Sequence, residues 1–209
     1  MIKKSISAMA LVLSAMSLAT MMSAPVRAEG AAGNHVNVRG SIVSHAGSTL
    51  TVKTREGETL DINLAEDLQV SAVANARIED IKPGDFVGIA SLPKKDGGDG
   101  ALEVLIFPPA LKGAGEGSYG WDLKPNSSMT NATVADAVTG VDGRTVTVSY
   151  KGKEKKISIP DGTPVVTLAP ATKEDLVPGA VVFVPAEKAS TGTVAHRLVV
   201  GKNGVVPPM

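Results

Sequence analysis

Gly40-Ser-Ile-Val-Ser-His-Ala-Gly-Ser-Thr-Leu-Thr-Val52 decides the fold, because it returns as Asp136-Ala-Val-Thr-Gly-Val-Asp-Gly-Arg-Thr-Val-Thr-Val148. Thr49-Leu-Thr-Val52 falls on Thr145-Val-Thr-Val148 and Gly47 on Gly143, an offset of 96. Past the next turn the offset is 95: Gly57 meets Gly152, Ile62 meets Ile157 and Leu64 meets Ile159. Glu79-Asp-Ile-Lys-Pro-Gly84 keeps that offset against Glu174-Asp-Leu-Val-Pro-Gly179. Three blocks in one order at a nearly constant spacing read as an internal repeat. The one-residue slip falls in a turn, where a surface connection tolerates an insertion.

Each copy reads as short strands. Leu50 and Val52 alternate with Thr49, Thr51 and Lys53, and Leu60, Ile62 and Leu64 alternate with Thr59, Asp61 and Asn63. Period-two alternation of apolar and polar residues marks a half-buried strand. Glycine-bearing turns fall at His45-Ala-Gly-Ser, Arg55-Glu-Gly-Glu and Lys94-Lys-Asp-Gly-Gly-Asp-Gly. A short helical turn is expected over Ala76 to Ile81, before Pro83-Gly84, with strands over Phe86 to Ser91 and Leu102 to Phe107. Copy two repeats the scheme with strands at 133–139, 145–150, 155–159, 181–186 and 194–200. The expected fold is all-β: two repeated, small, five-stranded, OB-like barrels, a closure that removes exposed sheet edges. A two-sheet β-sandwich is the alternative.

The modules are expected at 29–107 and 132–204, with a tail at 205–209. Between them, 108–131 is rich in Gly, Ser, Pro and Asn, yet holds Tyr119 and Trp121, two of six aromatics in the chain. A purely flexible linker needs no large rings, so this segment is expected to be ordered.

Residues 1–28 read as a secretory signal peptide: Lys3 and Lys4, a mainly apolar run from Ile6 to Met22, then Val26-Arg27-Ala28 with small residues at the −3 and −1 positions. Cleavage after Ala28 places the mature chain in the periplasm or outside the cell. Five serines and Thr20 between Ser5 and Ser23 set this run apart from a spanning helix of about 20 apolar residues. No other run is long enough to span a membrane. Loss of Lys3, Lys4 and Arg27 leaves 18 Lys plus Arg against 21 Asp plus Glu, which is no footprint for nucleic acid. The chain has no cysteine, so neither a disulfide nor a lipid-modified cysteine contributes.

The pattern Gly-x-Ile/Val-x-x-x-x-Gly-x-Thr-Leu/Val-Thr-Val, followed by Asp-Ile/Leu-x-Pro-Gly, resembles an uncharacterised family of exported bacterial β-repeat proteins. The segment from Gly115 through Trp121 to Thr133 and the tail Gly201-Lys-Asn-Gly-Val-Val-Pro-Pro-Met209 are similar to one proteobacterial group of these proteins. The resemblance implies a fold and a compartment, but no activity. Some relatives carry an automatic metal-transporter permease label, which requires membrane helices that this sequence lacks.

Candidate chemistry is sparse. Of three histidines, His45 and His196 are the candidate metal ligands, since neutral imidazole binds metals readily. They lack close pairing in sequence, and surface histidine is the plain alternative. Asp96, Asp99 and Glu103 lack the alternating oxygen ligands of a calcium loop and read as a hairpin tip. Lys151, Lys153, Lys155 and Lys156 form a basic hairpin interrupted by Glu154. Gly113-Ala-Gly-Glu-Gly opens no helix and ends without Gly-Lys-Ser/Thr, so it is no phosphate loop. Glu116 and Asp122 are a carboxylate pair that glycoside chemistry would need converged.

Tyr119, Trp121, Asp122, Asn126 and Asn131, with Thr130, make the remaining ligand-binding candidate: aromatic faces edged by amides and a carboxylate suit sugars or peptide segments. In the plain alternative Trp121 plugs a groove between modules. The leading expectation is a non-enzymatic binding or assembly module without a cofactor, its partner an unknown envelope protein or small ligand. The alternatives are a periplasmic metal carrier and an undetected hydrolase.

Overall fold

A computed structural model describes residues 35–140 and 143–207 of the chain. The expected leader, 1–28, and the end of the expected tail lie outside the described residues. The described residues belong to one compact unit, and they are all-β. Twelve strands run in order: β1 (His35–Ala46), β2 (Thr49–Thr54), β3 (Thr59–Asn75), β4 (Phe86–Pro93), β5 (Asp99–Ile106), β6 (Gly117–Trp121), β7 (Ser127–Gly140), β8 (Gly143–Tyr150), β9 (Lys153–Ile159), β10 (Val165–Pro170), β11 (Val181–Ala189) and β12 (Gly192–Gly201).

Strands β11, β1, β2, β3 and β12 pair in sequence and close on themselves through a parallel β12–β3 ladder. This is a closed five-stranded barrel of the expected kind. Its inward positions are the alternating residues Leu50, Val52, Ile62 and Leu64, joined by Val184 and Leu198. Strands β5, β4, β7, β8 and β9 form a second circuit, closed where Asp99 and Gly100 of β5 lie beside Ile157 and Ser158 of β9. Val87, Ile89, Val134, Val146, Val148 and Ile157 fill it. Full burial of each such side chain stabilises the fold by about 2 kcal/mol. β10 bridges the two barrels, antiparallel to β3 and parallel to β5.

Neither barrel is a contiguous stretch of chain. β4 and β5 sit with β7 to β9, and β11 and β12 sit with β1 to β3. Modules bounded at 29–107 and 132–204 therefore do not correspond to the barrels. Alternation assigns faces to a strand but carries no label for its partner. The segment expected as a linker, 108–131, supplies β6, which pairs with β7, and the start of β7 itself.

The short helical turn expected before Pro83 is a single 3-10 turn, Ile78–Asp80, and Lys173–Asp175 is another. Both close the same way: Asp80 accepts from the Arg77 N–H at 2.8 Å and Asp175 from the Thr172 N–H at 3.0 Å. In the β3–β10 ladder Val73 lies opposite Leu168, 95 positions on, the spacing at which the sequence blocks recur.

Candidate functional site: a cleft where the barrels meet

Alternation along β1 sends Val38 and Ile42 into the first barrel and turns Asn37 and Arg39 outward. Arg39 is nevertheless only 8% exposed. Its cross-strand partner is Phe183 on β11, and its guanidinium carbon lies 4.9 Å from that ring's centroid and 5.5 Å from the Trp121 centroid. Its Nη2 donates to Asp122 Oδ1 at 2.8 Å, and the Asn37 amide donates to both Asp122 oxygens at 3.2 Å. A guanidinium stacked on aromatic faces and bonded to a carboxylate is a favourable way to remove its charge from water. Partial burial pushes the Asp122 carboxyl up, but the Arg39 hydrogen bond and charge, with the Asn37 amide, outweigh it and hold the group below its ordinary value.

Trp121 and Asp122 thus latch the end of β6, which pairs with the second barrel, onto the outer face of the first. Asn131 turns elsewhere, donating to the Tyr119 hydroxyl at 3.2 Å and the Ala114 carbonyl at 3.3 Å. Tyr119 meets Trp121 edge-on at 6.3 Å and stays exposed. Asn126 has φ 64°, a turn conformation that asparagine tolerates. Of the five expected ligand-binding residues, Trp121 and Asp122 gather around Arg39, Tyr119 and Asn131 bond to each other, and Asn126 shapes the turn. Glu116 Oε1 accepts from the Lys151 N–H at 2.9 Å, so Glu116 and Asp122 each engage a different group.

Beside the latch lies a cleft of about 640 Å³. Two close backbone approaches at glycine bear on its walls. A Cβ on Gly40 would sit 2.1 Å from the Lys53 carbonyl oxygen, so only glycine lets β1 approach β2 this closely. A Cβ on Gly201 would meet the Val205 carbonyl oxygen at 2.1 Å, and its absence lets the tail fold back as a cleft wall. The Arg55 N–H donates to the Arg39 carbonyl at 2.9 Å, which holds the turn after β2 beside β1. Lys53, Thr54 and Arg55 line the cleft together with Pro164 and Val166.

Glu103 of β5 also lines the cleft and is 6% exposed. Its Oε1 meets no hydrogen-bond donor among the described residues. Burial pushes its carboxyl up to about 7, against the opposing pull of Arg39 and Arg55. Its sequence signal was weak: a carboxylate inside the apolar run Leu102-Glu-Val-Leu-Ile106, at the foot of a hairpin with other acids. Lys53 and Arg55 carried no signal beyond ordinary strand-end charge.

His196 Nδ1 lies 2.9 Å from Asp67 Oδ1 on an exposed surface, and His45 sits near the end of β1 with its Nε2 buried. Among the described residues, no three His, Cys, Asp or Glu side chains converge as a metal cage. Lys155 is drawn out of the basic hairpin: its amine pairs with Asp99 and donates to Ser128 Oγ at 3.2 Å and Thr130 Oγ1 at 3.3 Å. Among the described residues no helix is long and apolar enough to cross a membrane. Compared with protein-family models, curated proteins and solved structures, the chain matches none.

Proposed function

We propose that this protein is an exported, non-enzymatic binding module that takes a small ligand in the cleft between its barrels. The buried Glu103 carboxyl carries this reading. A buried polar atom without a partner is costly, and one on a residue that lines a cleft is the kind of group that a ligand satisfies. Export rests on the basic-then-apolar leader and on the resemblance to exported β-repeat proteins. In this reading the scaffold is two copies of one five-strand unit that have exchanged their last two strands. The shared 95-residue spacing and the paired Asp80 and Asp175 turns support that exchange.

Among the described residues lining the cleft, Glu103 is the one carboxylate, which favours binding over two-carboxylate hydrolysis. Native mass spectrometry of the protein drawn from its host's periplasm tests the proposal. The expected spectrum shows residues 29–209 with a stoichiometric added mass. Ser41 lines the cleft from an exposed position, and Ser41→Trp should remove that mass by filling the space. Retention of the added mass in the variant would place the ligand elsewhere.

A further inference from the structure

The cleft lining combines apolar and cationic side chains. Leu123, Pro164, Val166, Val181, Val205 and Val206 give it apolar walls. Lys53 and Arg55 bring side-chain cations to it, both from exposed positions. Arg39 adds a third positive group, already engaged by Asp122. A ligand that suits both has an apolar body and an anionic end. Glu103 lines the same cleft and feels the charges of Arg39 and Arg55; beside an anion bound there, a carboxylate would repel and a carboxylic acid would donate a hydrogen bond.

We propose that the cleft takes a small organic acid, an apolar body bearing one carboxylate, and that the proton on Glu103 gates its binding. This rests on the cleft being a ligand site. In the acid form the Glu103 O–H donates to the ligand carboxylate, while Arg55 and Lys53 supply opposite charge. Ionised Glu103 places a second negative charge beside the ligand and pairs electrostatically with the arginines instead. Binding from solutions above neutral pH therefore takes up one proton per ligand.

The charged groups acting on Glu103 are Arg39 from β1 and Arg55 from the turn after β2, with Lys53 of β2 also lining the cleft. The lining residues of β10, β11 and the tail are not titratable, and β4 places Ala90 opposite Glu103. Burial outweighs the two arginines and sets the titration at about 7, so the gate works across neutral pH.

Calorimetric titration of the full mature chain with octanoate at pH 6 and pH 8 is the test. The acid form falls from about nine-tenths to about one-tenth of the molecules, so binding should weaken about tenfold at pH 8. Glu103→Gln should flatten that ratio to about one, because its amide donates at both pH values. Arg55→Ala should weaken octanoate at both. Octanol, the same apolar length without charge, should bind at least about tenfold more weakly than octanoate at pH 6. Equal or tighter octanoate binding at pH 8, or a tenfold ratio surviving in Glu103→Gln, overturns the gate. Octanol binding as well as octanoate overturns the ligand class but leaves a functioning cleft. Binding of neither overturns this inference, while the mass found on host-drawn protein judges the broader binding reading separately.

Discussion

The two barrels close differently. The first is sealed by backbone: β12 runs beside β3 from Thr193 opposite Ile62 to Gly201 opposite Val73, with one irregularity between Ala195 and Arg197. Among the described residues, the second meets only at Asp99 opposite Ile157 and Gly100 opposite Ser158. Side chains supplement this seam. Lys155 pairs with Asp99, Ser158 Oγ donates to the Asp99 carbonyl at 3.1 Å, and Ser91 and Ser128 join the cluster at 3.3 Å. Ladder hydrogen bonds are regular and cooperative, whereas a partly buried ion pair depends on both partners being present. The second barrel is therefore the one that a single side-chain change can open.

The largest expected effect breaks that seam. Lys155→Ala leaves Asp99 without its cation and should cost about 3 kcal/mol in urea denaturation. Amide exchange should accelerate at 99–101 and 157–158 while β12 and β3 stay protected. Uniform acceleration in both barrels would show that the seam is no weaker than the long ladder.

Glu103 loads the same strand, β5, as Asp99. Burial raises its native carboxyl to about 7 from the ordinary glutamate value of 4.5, so between those values the native state holds a proton that the unfolded state has lost. Stability should therefore fall as pH rises through this window and level off above it. Glu103→Gln should stabilise the chain by roughly 2 to 3 kcal/mol at pH 8.5 and leave it nearly unchanged near pH 4.5. Denaturation curves at the two pH values make the comparison.

Asp122→Ala removes the latch between β6 and the first barrel and leaves Arg39 without that carboxylate. A loss of about 1 to 2 kcal/mol is expected, with a shift in Trp121 fluorescence as its guanidinium neighbour is released. The smallest effect belongs to the first barrel: His196→Ala breaks an exposed pair with Asp67 and should change stability by less than about 0.5 kcal/mol. A loss comparable to that of Lys155→Ala would mean that side chains hold the first barrel closed as well.

Strand positions were legible because Leu50, Val52, Ile62 and Leu64 alternate cleanly and glycines mark their turns. Which strands pair was not, because alternation names the inward face and leaves the neighbouring strand open. β6 was hidden by its composition: Gly117-Ser-Tyr-Gly-Trp121 lacks β-branched residues and holds its place by pairing with β7. In the site, the rings of Tyr119 and Trp121 drew notice as rare residues. Arg39, which Trp121 covers, looked like any polar strand position until tertiary contacts buried it. Glu103 was visible as an acid in an apolar run, yet its meaning depends on Arg39, Arg55 and the folded-back tail, all distant in sequence.

The most direct measurement is the titration of the Glu103 carboxyl carbon by NMR in ¹³C-glutamate-labelled protein, assigned with Glu103→Gln, alone and with octanoate. The expected midpoint lies about 7 in the free protein and moves upward with octanoate, as a bound anion favours the protonated carboxyl. A midpoint at the ordinary glutamate value, unmoved by octanoate, would contradict both the buried carboxyl and the gate built on it.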